Sequence, residues 1–299
     1  MSPKKVAWAP GAGFEEPFWH LNALQVPALW TESQGKGVVI AILDGGVDDV
    51  AGLRGERVQH LDHEGQETSP WDASNGHGTA CASLAASSHK HAPGVAPEAR
   101  LLSLNVAGVN GEPLLYKVEA ALRVAVESAD IISCSFVMPE VSLGIWDVLR
   151  EAQAHGRVVV AAAGNDETVT SAFPENVPEV ISVAGLSRSL APLSGGRFGP
   201  FIDVAAPGQD LRVSTAFGVK NWRGASSGAA ALVSGVCALV LSAAKQHGLE
   251  PSEVGRLLPE LLLSTATDLG ELGQDPLTGA GMVNPPKLLE AVLSQLGVS

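Results

Sequence analysis

Short apolar runs alternate with amphipathic segments along most of the chain. Runs typical of buried strands occur at residues 38–44, 99–106, 131–137, 158–164 and 179–185. Helices are predicted at residues 77–86, 117–129, 146–156 and 228–244, and at 117–129 the apolar positions recur at helical spacing. This alternation predicts a three-layer, doubly wound α/β fold, with a mostly parallel sheet and helices on both faces. No linker or repeat interrupts the pattern, so we expect one domain.

Polar side chains stand where several predicted strands end, the edge at which open parallel sheets form their sites. Asp44 ends the first apolar run, and Asn165 follows the run at 158–164. His77 lies between two glycines at the start of a predicted helix. Taken singly, these residues have ordinary explanations: a turn carboxylate, an asparagine in a left-handed turn and a histidine at a helix start. Together they supply an acid, an imidazole and an amide.

Two serines, Ser226 and Ser227, precede the apolar run at 228–244. Serine caps helices well, and it also meets the unpaired N–H groups and positive dipole of a helix start. One serine can therefore cap while the other reacts. The stretch GASSG also matches the nucleophile elbow of α/β-hydrolases, which would make Ser226 the nucleophile of an esterase. That alternative requires an acid and then a histidine downstream, but only His247 follows, with no Asp or Glu before it.

Composition narrows the choice of partner and compartment. Apolar residues make up 45% of the chain and charged residues 17%, enough for a sizeable core. The net charge of −13 disfavours nucleic acids. The run at 228–244 is short and interrupted by Gly and Ser, which favours a core helix over a membrane span. The odd, dispersed cysteines Cys81, Cys134 and Cys237 are expected to be reduced core thiols, and a catalytic Cys81–His77 pair is disfavoured.

The order Asp44, His77 and a serine near 227 is that of subtilisin. The segments VVIAILDGGVD, NGHGTACASLAA and VVVAAAGND resemble those around the Asp, His and oxyanion Asn of the subtilisin-like serine proteases, or subtilases. Further segments resemble family landmarks in the same order, namely GVAPEARLLSLNV, VPEVISVAG, IDVAAPG and TGAGMVN. The resemblance runs from about residue 18 to 292. It implies a subtilisin-like protease domain at 18–299 behind an irregular N-terminal extension at 1–17.

Register decides between the two serines. The family pattern is G-T-S-M-A-x-P-H-V-A-G, and placing Ser227 at its serine matches four of five flanking landmarks, whereas Ser226 matches one. The resemblance then implies that Ser227 is the nucleophile, His77 the general base and Asp44 the residue that orients His77. It also implies that Asn165 and the Ser227 backbone N–H form the oxyanion hole.

The resemblance also implies where a peptide or protein substrate binds. The substrate chain is expected to pair along Ser133–Val137. The side chain before the cleaved bond is expected to enter a pocket between two short segments. The expected substrate-binding residues are Ser133, Ser135, Phe136, Val137, Ala161, Ala162, Ala163 and Gly164.

The sequence departs from the family at several of these positions. Val137 and Ala225 stand where glycine is usual, and Gly228, Ala231 and Leu232 replace the pattern's Met, Pro and His. The cleft is therefore expected to be narrower, and an inactive peptide-binding module stays open as an alternative. The short segment SSHKHAP leaves no room for the calcium loop of secreted subtilisins. We expect no cofactor and no metal, with weak structural calcium left open and a metal site in QHLDHEG disfavoured.

Together these features predict a serine endopeptidase. No secretion signal is visible, and little chain precedes Asp44 to supply a folding prodomain, so we expect a cytoplasmic enzyme. A dedicated role, such as trimming a leader from a precursor, fits that location and the altered cleft. We hypothesise that residues 1–17 cover the cleft or close on a partner. The sequence indicates no membrane partner and leaves the oligomeric state undetermined.

Overall fold

The computed structural model describes residues 18–166, 173 and 177–298. The expected N-terminal extension, and the hypothesis that it covers the cleft, lie outside these residues. Within them the helices are α1 (Trp19–Ala23), α2 (Val26–Leu29), α3 (His77–Ala86), α4 (Leu115–Ser128), α5 (Leu143–Ala154), α6 (Ala225–Gln246), α7 (Pro251–Thr265) and α8 (Pro285–Gln295). The strands are β1 (Val39–Asp44), β2 (Val58–Asp62), β3 (Ser88–His89), β4 (Ala92–Pro93), β5 (Arg100–Asn105), β6 (Ile131–Cys134), β7 (Val158–Ala162), β8 (Ile181–Leu186), β9 (Val204–Pro207), β10 (Leu211–Thr215) and β11 (Gly218–Trp222).

A seven-stranded parallel sheet forms the middle layer, in the order β2-β5-β1-β6-β7-β8-β9. The β3-β4 and β10-β11 pairs are antiparallel and separate from it. Helices α4 and α5 share one hydrophobic cluster with the sheet, and α3 and α6 share a second cluster on its other face. The expected three-layer, doubly wound α/β fold is therefore confirmed. Because all seven strands of the central sheet run in one direction, the residues that follow them gather at one edge of that sheet.

Helix α6 is the central helix of the second cluster. It is long and apolar enough to span a membrane, yet its whole hydrophobic window is buried inside the molecule. It contacts strands β6 to β9 and helix α3. The prediction of a core helix at 228–244 is confirmed, and the helix begins three residues earlier, at Ala225. This earlier start places both serines in its first turn.

Strand β6 ends at Cys134, three residues before the predicted end at 137. Its partner β1 supplies Leu43 opposite Cys134 and ends at Asp44. Gly46 then takes a φ of +106° and turns the chain away, so residues 135–137 lose their ladder partner on that side. The predicted strand at 131–137 is therefore too long, and the backbone after Cys134 is open to other partners.

The cysteines confirm the expectation for the core. Cys81, Cys134 and Cys237 are free thiols and fully buried. Burial raises the pKa of Cys237 to about 12 and also raises the pKa of Cys134. Thiols held in this way are poor nucleophiles.

Candidate active site

The carboxylate of Asp44 is held at the carboxyl end of β1. Its Oδ2 lies 2.8 Å from Nδ1 of His77, the first residue of α3. Its Oδ1 accepts hydrogen bonds from the Gly45 N–H at 2.7 Å and from the Ser74 hydroxyl at 2.9 Å. The carboxylate is buried, whereas the His77 side chain keeps about a third of its surface exposed, at 34%. The Nδ1 edge of the imidazole is thus anchored while the ring still reaches solvent.

Charge and burial act in opposite directions on His77. Burial alone would lower its pKa, but the facing Asp44 carboxylate, with a smaller contribution from Cys81, raises the pKa above its usual value. The site therefore stabilises the imidazolium form. That is the property required of a base that must hold a proton during a reaction.

A second carboxylate stands behind Asp44. The Ser74 hydroxyl lies between Asp44 and Asp72 and contacts an oxygen of each. The other oxygen of Asp72 accepts from the N–H and the hydroxyl of Thr79, at 2.7 and 2.8 Å, in the first turn of α3. Asp72 therefore ties the helix that carries His77 to the loop that carries Ser74. The sequence reasoning missed both residues, and the signal available was polar side chains three and five residues before His77.

Ser227 lies in the first turn of α6 and faces the segment after β6. Its Oγ donates to the Ser135 carbonyl at 3.1 Å, and the Ser135 hydroxyl donates to the Ser227 carbonyl at 3.1 Å. Within the described residues no hydrogen bond joins Ser227 Oγ to His77. Ser227, His77 and Asp44 nevertheless line one cleft. The structure therefore brings the three residues together at a single sheet edge, with the serine hydroxyl turned toward Ser135.

Ser226 has a different environment from its neighbour. Its hydroxyl donates to Oδ1 of Asn165 at 2.8 Å, and its N–H donates to the same oxygen at 3.0 Å. The Gly164 N–H donates to the Ser226 hydroxyl at 3.1 Å. Two donors on one oxygen fix the orientation of the Asn165 amide, so the NH₂ group is the end that remains for a ligand. The buried Ser226 hydroxyl is thus engaged in positioning Asn165.

These contacts overturn the esterase alternative. A nucleophile elbow presents its serine on a sharp turn directly after a strand of the sheet. Ser226 instead follows the separate β10-β11 hairpin, and its hydroxyl faces Asn165 and Gly164. The proposed α/β-hydrolase reading with Ser226 is therefore wrong.

The cleft around Ser227 has a volume of about 430 Å³. Five of the expected substrate-binding residues line it, namely Ser135, Phe136, Val137, Ala162 and Gly164.

Three others do not line the cleft, which corrects the expectation. Ser133 pairs with Ile42 of β1 and Val160 of β7, so neither of its backbone edges can take a substrate strand. Ala161 pairs with Cys134 and Ser182 inside the sheet. Ala163 is buried, and its N–H donates to the Val183 carbonyl. Of the segment 133–137, only residues 135–137, beyond the end of β6, are left without a ladder partner.

Two further side chains contact His77. The Trp222 ring meets the imidazole edge-on, with the centroids 5.5 Å apart at 80°. The buried Cys81 thiol lies 4.0 Å from Nδ1, the nitrogen that already faces Asp44. Cys81 therefore packs behind the ring and away from the cleft, which does not support a Cys–His nucleophile pair. Trp222 was missed, although it lies only five residues before Ser227.

Potential metal ligands converge at two places in the described part of the chain. One group consists of Asp44, His77 and Cys81, whose polar atoms already face one another. The other consists of exposed Glu127, Glu151 and His155, which carries no further sign of an ion. The histidines of QHLDHEG belong to neither group.

Comparison with known proteins agrees with this architecture. A model of the subtilase family matches residues 35–281. Thermitase from Thermoactinomyces vulgaris is 32% identical over 190 residues, which cover 62% of this chain and 68% of thermitase. The intracellular serine protease of Paenibacillus polymyxa is 31% identical over 277 residues, covering 88% of this chain and 83% of that protein.

A solved structure extends the likeness to three dimensions. The crystal structure of fervidolysin from Fervidobacterium pennivorans, a keratinolytic enzyme related to subtilisin, is similar with a TM-score of 0.80 and 25% identity. The match covers 91% of this chain and 45% of that chain. On the evidence of the fold, the gathered site and a family match over most of its length, this chain belongs to the subtilase family of serine endopeptidases.

Proposed function

We propose that the chain hydrolyses peptide bonds through an acyl-enzyme on Ser227. The Ser227 hydroxyl leaves the Ser135 carbonyl, gives its proton to His77 and attacks the substrate carbonyl carbon. His77 delivers that proton to the departing amine as the C–N bond breaks. A water molecule then attacks the acyl-enzyme with His77 again as base, and the proton returns to Ser227 as the acid product leaves.

The Asp44–His77 contact carries this proposal. A carboxylate at 2.8 Å from Nδ1 sets the tautomer, so that Nε2 is the nitrogen that accepts the proton. The same carboxylate stabilises the imidazolium, in agreement with the raised pKa of His77. Because both residues share a cleft with Ser227, this acid–base pair serves the serine at the start of α6.

The negative charge of the tetrahedral intermediate is assigned to two donors. These are the Asn165 NH₂ group, oriented by Ser226, and the Ser227 N–H at the positive end of α6. The substrate backbone is assigned to the edge of residues 135–137. There its N–H takes over the Ser135 carbonyl that the Ser227 hydroxyl now occupies. Apart from the attacking water, these steps use only side chains and backbone groups of the chain, so the proposed reaction needs no cofactor.

Covalent labelling tests the assignment of the nucleophile. A small fluorophosphonate probe, followed by peptide mapping, is expected to modify Ser227. Ser227→Ala should lose roughly 10⁶ in kcat. The matched Ser226→Ala should lose about tenfold or less, since it removes one neutral hydrogen bond to Asn165. Labelling at Ser226 would refute the assignment, and an unlabelled, folded protein would favour an inactive peptide-binding module.

We also propose a cytoplasmic location and a dedicated processing role. The location is supported by three free, buried cysteines and by the similarity to an intracellular serine protease. The role is supported by the altered cleft, which favours a limited set of peptides over bulk degradation. Fractionation of the source cells tests the location. Incubation with denatured casein tests the role, because extensive degradation at the rate of a general protease would count against it.

A further inference from the structure

Beside Ser227 a slot runs between two chain segments. Strands β6 and β7 pair through Cys134 and Ala161, and beyond these residues no ladder pairing joins the two segments. Continuing the same register places Val137 opposite Gly164. Both residues line the catalytic cleft, and Gly164 adjoins Asn165. The slot therefore begins at the position proposed for the attacked carbonyl.

Two side chains converge on Gly164 at the end of this slot. A Cβ built on Gly164 would lie 3.2 Å from Cγ1 of Val137 and 3.1 Å from Cγ of Arg197. The Arg197 side chain is buried, and its backbone N–H donates to the Gly164 carbonyl at 3.2 Å. Gly164 also has a φ of +108°, a conformation that favours glycine. Val137 and the Arg197 stem thus cover the only face of Gly164 on which a side chain could stand.

The distances leave no gap for a third group. A Cα–Cβ bond is about 1.5 Å long, so Val137 Cγ1 lies within about 4.7 Å of the Gly164 Cα. An atom placed between two carbon atoms needs about 3.5–4.0 Å to each, or about 7–8 Å across. The separation of about 4.7 Å is therefore too short for any substrate atom to enter between Val137 Cγ1 and the Gly164 Cα.

We propose that Val137, with the Arg197 stem behind Gly164, restricts cleavage to bonds that follow a small residue, namely glycine, alanine or serine. This inference rests on the proposed function, because it assigns the slot to the residue whose carbonyl Ser227 attacks. The side chains of alanine and serine are short enough to end before the closed part of the slot, and glycine has no side chain. A leucine or phenylalanine side chain would have to displace Val137 or Arg197. Val137 is thereby a specificity-determining residue.

Peptides that differ at one residue test the proposal. Fluorogenic peptides carry Gly, Ala, Ser, Leu, Phe or Asp before the cleaved bond, and kcat/KM is measured for each. The full-length enzyme is expected to cleave after Ala at least tenfold faster than after Leu or Phe. In Val137→Gly, and in Val137→Ala as a second variant, the ratio of kcat/KM after Phe to kcat/KM after Ala should rise at least tenfold. The half-buried Val219→Gly, on the β10-β11 hairpin outside the cleft, is the matched control.

The fluorophosphonate probe separates the two ways of failing. Equal cleavage after Ala and Phe, or a preference for Asp, in an enzyme labelled at Ser227 would overturn the size limit and leave the proposed function standing. So would an unchanged preference in Val137 variants that still fold and label. Loss of labelling in the unaltered enzyme would overturn the proposed function, and the size limit with it.

Discussion

At the scale of single residues, adjacent serines have separate tasks because of where their hydroxyls point. The Ser226 hydroxyl is bonded to Asn165 and to the Gly164 N–H, whereas the Ser227 hydroxyl faces the cleft and Ser135. A register argument from sequence can name Ser227. It cannot show that Ser226 orients the Asn165 amide, because that contact joins positions 61 residues apart in the chain.

The raised pKa of His77 gives a prediction about pH. A base must be unprotonated to accept the serine proton, so kcat/KM should rise with pH along a limb above pH 6.5, the usual value for histidine. Asp44→Asn removes the charge that raises this pKa. The limb should then move to lower pH, and kcat at neutral pH should fall by about 10⁴. The pH profile of kcat/KM in both proteins is the measurement.

The control for this prediction is an aspartate far from the cleft. The exposed Asp147→Asn, which loosens only a distant contact to Arg150, should leave the profile unchanged. If kcat/KM of Asp44→Asn rises over the same pH range as in the parent protein, a group other than His77 paired with Asp44 sets that pH dependence.

At the scale of elements, periodicity predicts where chain segments are regular, and pairing decides where they stop. Helix α3 spans His77–Ala86, the range predicted from the sequence. Strand β6 stops at Cys134 although its apolar run continues to Val137, because β1 ends and turns away. No local pattern reports the length of a partner strand. The three residues left over form the edge on which the proposed substrate binding depends.

Helices α7 and α8 and the β10-β11 hairpin were not among the predicted elements. The helices carried a usable signal, since their buried residues recur at helical spacing, as at Val254, Leu258 and Leu262. The hairpin carried a weaker sequence signal, because most residues of β11 are exposed and show no apolar alternation. Its role in the site depends on Trp222, which reaches His77 only through the tertiary fold.

The start of α6 gives a prediction about packing. Gly228 stands where the family pattern has Met, and a Cβ there would lie 2.5 Å from Leu211 Cδ1 and 3.5 Å from Trp222 Cζ3. Leu211 therefore occupies the space that a larger residue would need, whereas Leu84 and Trp222 lie at ordinary contact distance. Gly228→Met should lower the free energy of unfolding by about 1–3 kcal/mol through overpacking. Urea unfolding in a Ser227→Ala background, which prevents self-digestion, measures the change.

A double variant shows whether Leu211 is the cause. Gly228→Met should cost much less in a Leu211→Ala background than in the parent protein, since the leucine no longer competes for the same volume. If the two changes add independently, Leu211 is not the residue that excludes the larger side chain.

At the scale of the whole molecule, the sheet edge gathers Asp44, Asn165 and the start of α6 because the strands are parallel. The catalytic chemistry depends on this shared direction more than on any single contact. Sequence alternation predicted the direction, and the motif order predicted which side chains would meet. The closed slot beside Gly164 was only partly foreseen. Val137 was visible as a departure from glycine, but Arg197 reaches Gly164 from a segment 33 positions later.

The stability of the folded chain should depend on pH through one buried histidine. His20 is fully buried, and within the described residues neither of its ring nitrogens has a hydrogen-bond partner. Burial lowers its pKa from 6.5 to about 3, so the folded form stays neutral in a range where the unfolded form binds a proton. The free energy of unfolding should therefore fall as pH drops from 6.5 toward 3, by about 1.4 kcal/mol per pH unit from this group.

Replacing the ring tests that dependence. Between pH 7 and pH 4.5, the free energy of unfolding of His20→Leu should fall by about 2–3 kcal/mol less than that of the parent protein. The reason is that leucine binds no proton in the unfolded chain. Urea unfolding at the two pH values, again in the Ser227→Ala background, measures the gain as a difference of differences. This comparison removes any constant packing cost of the substitution. Exposed His247→Leu, at the end of α6, is the control. An equal gain in both variants would show that burial of His20 does not cause the loss of stability in acid.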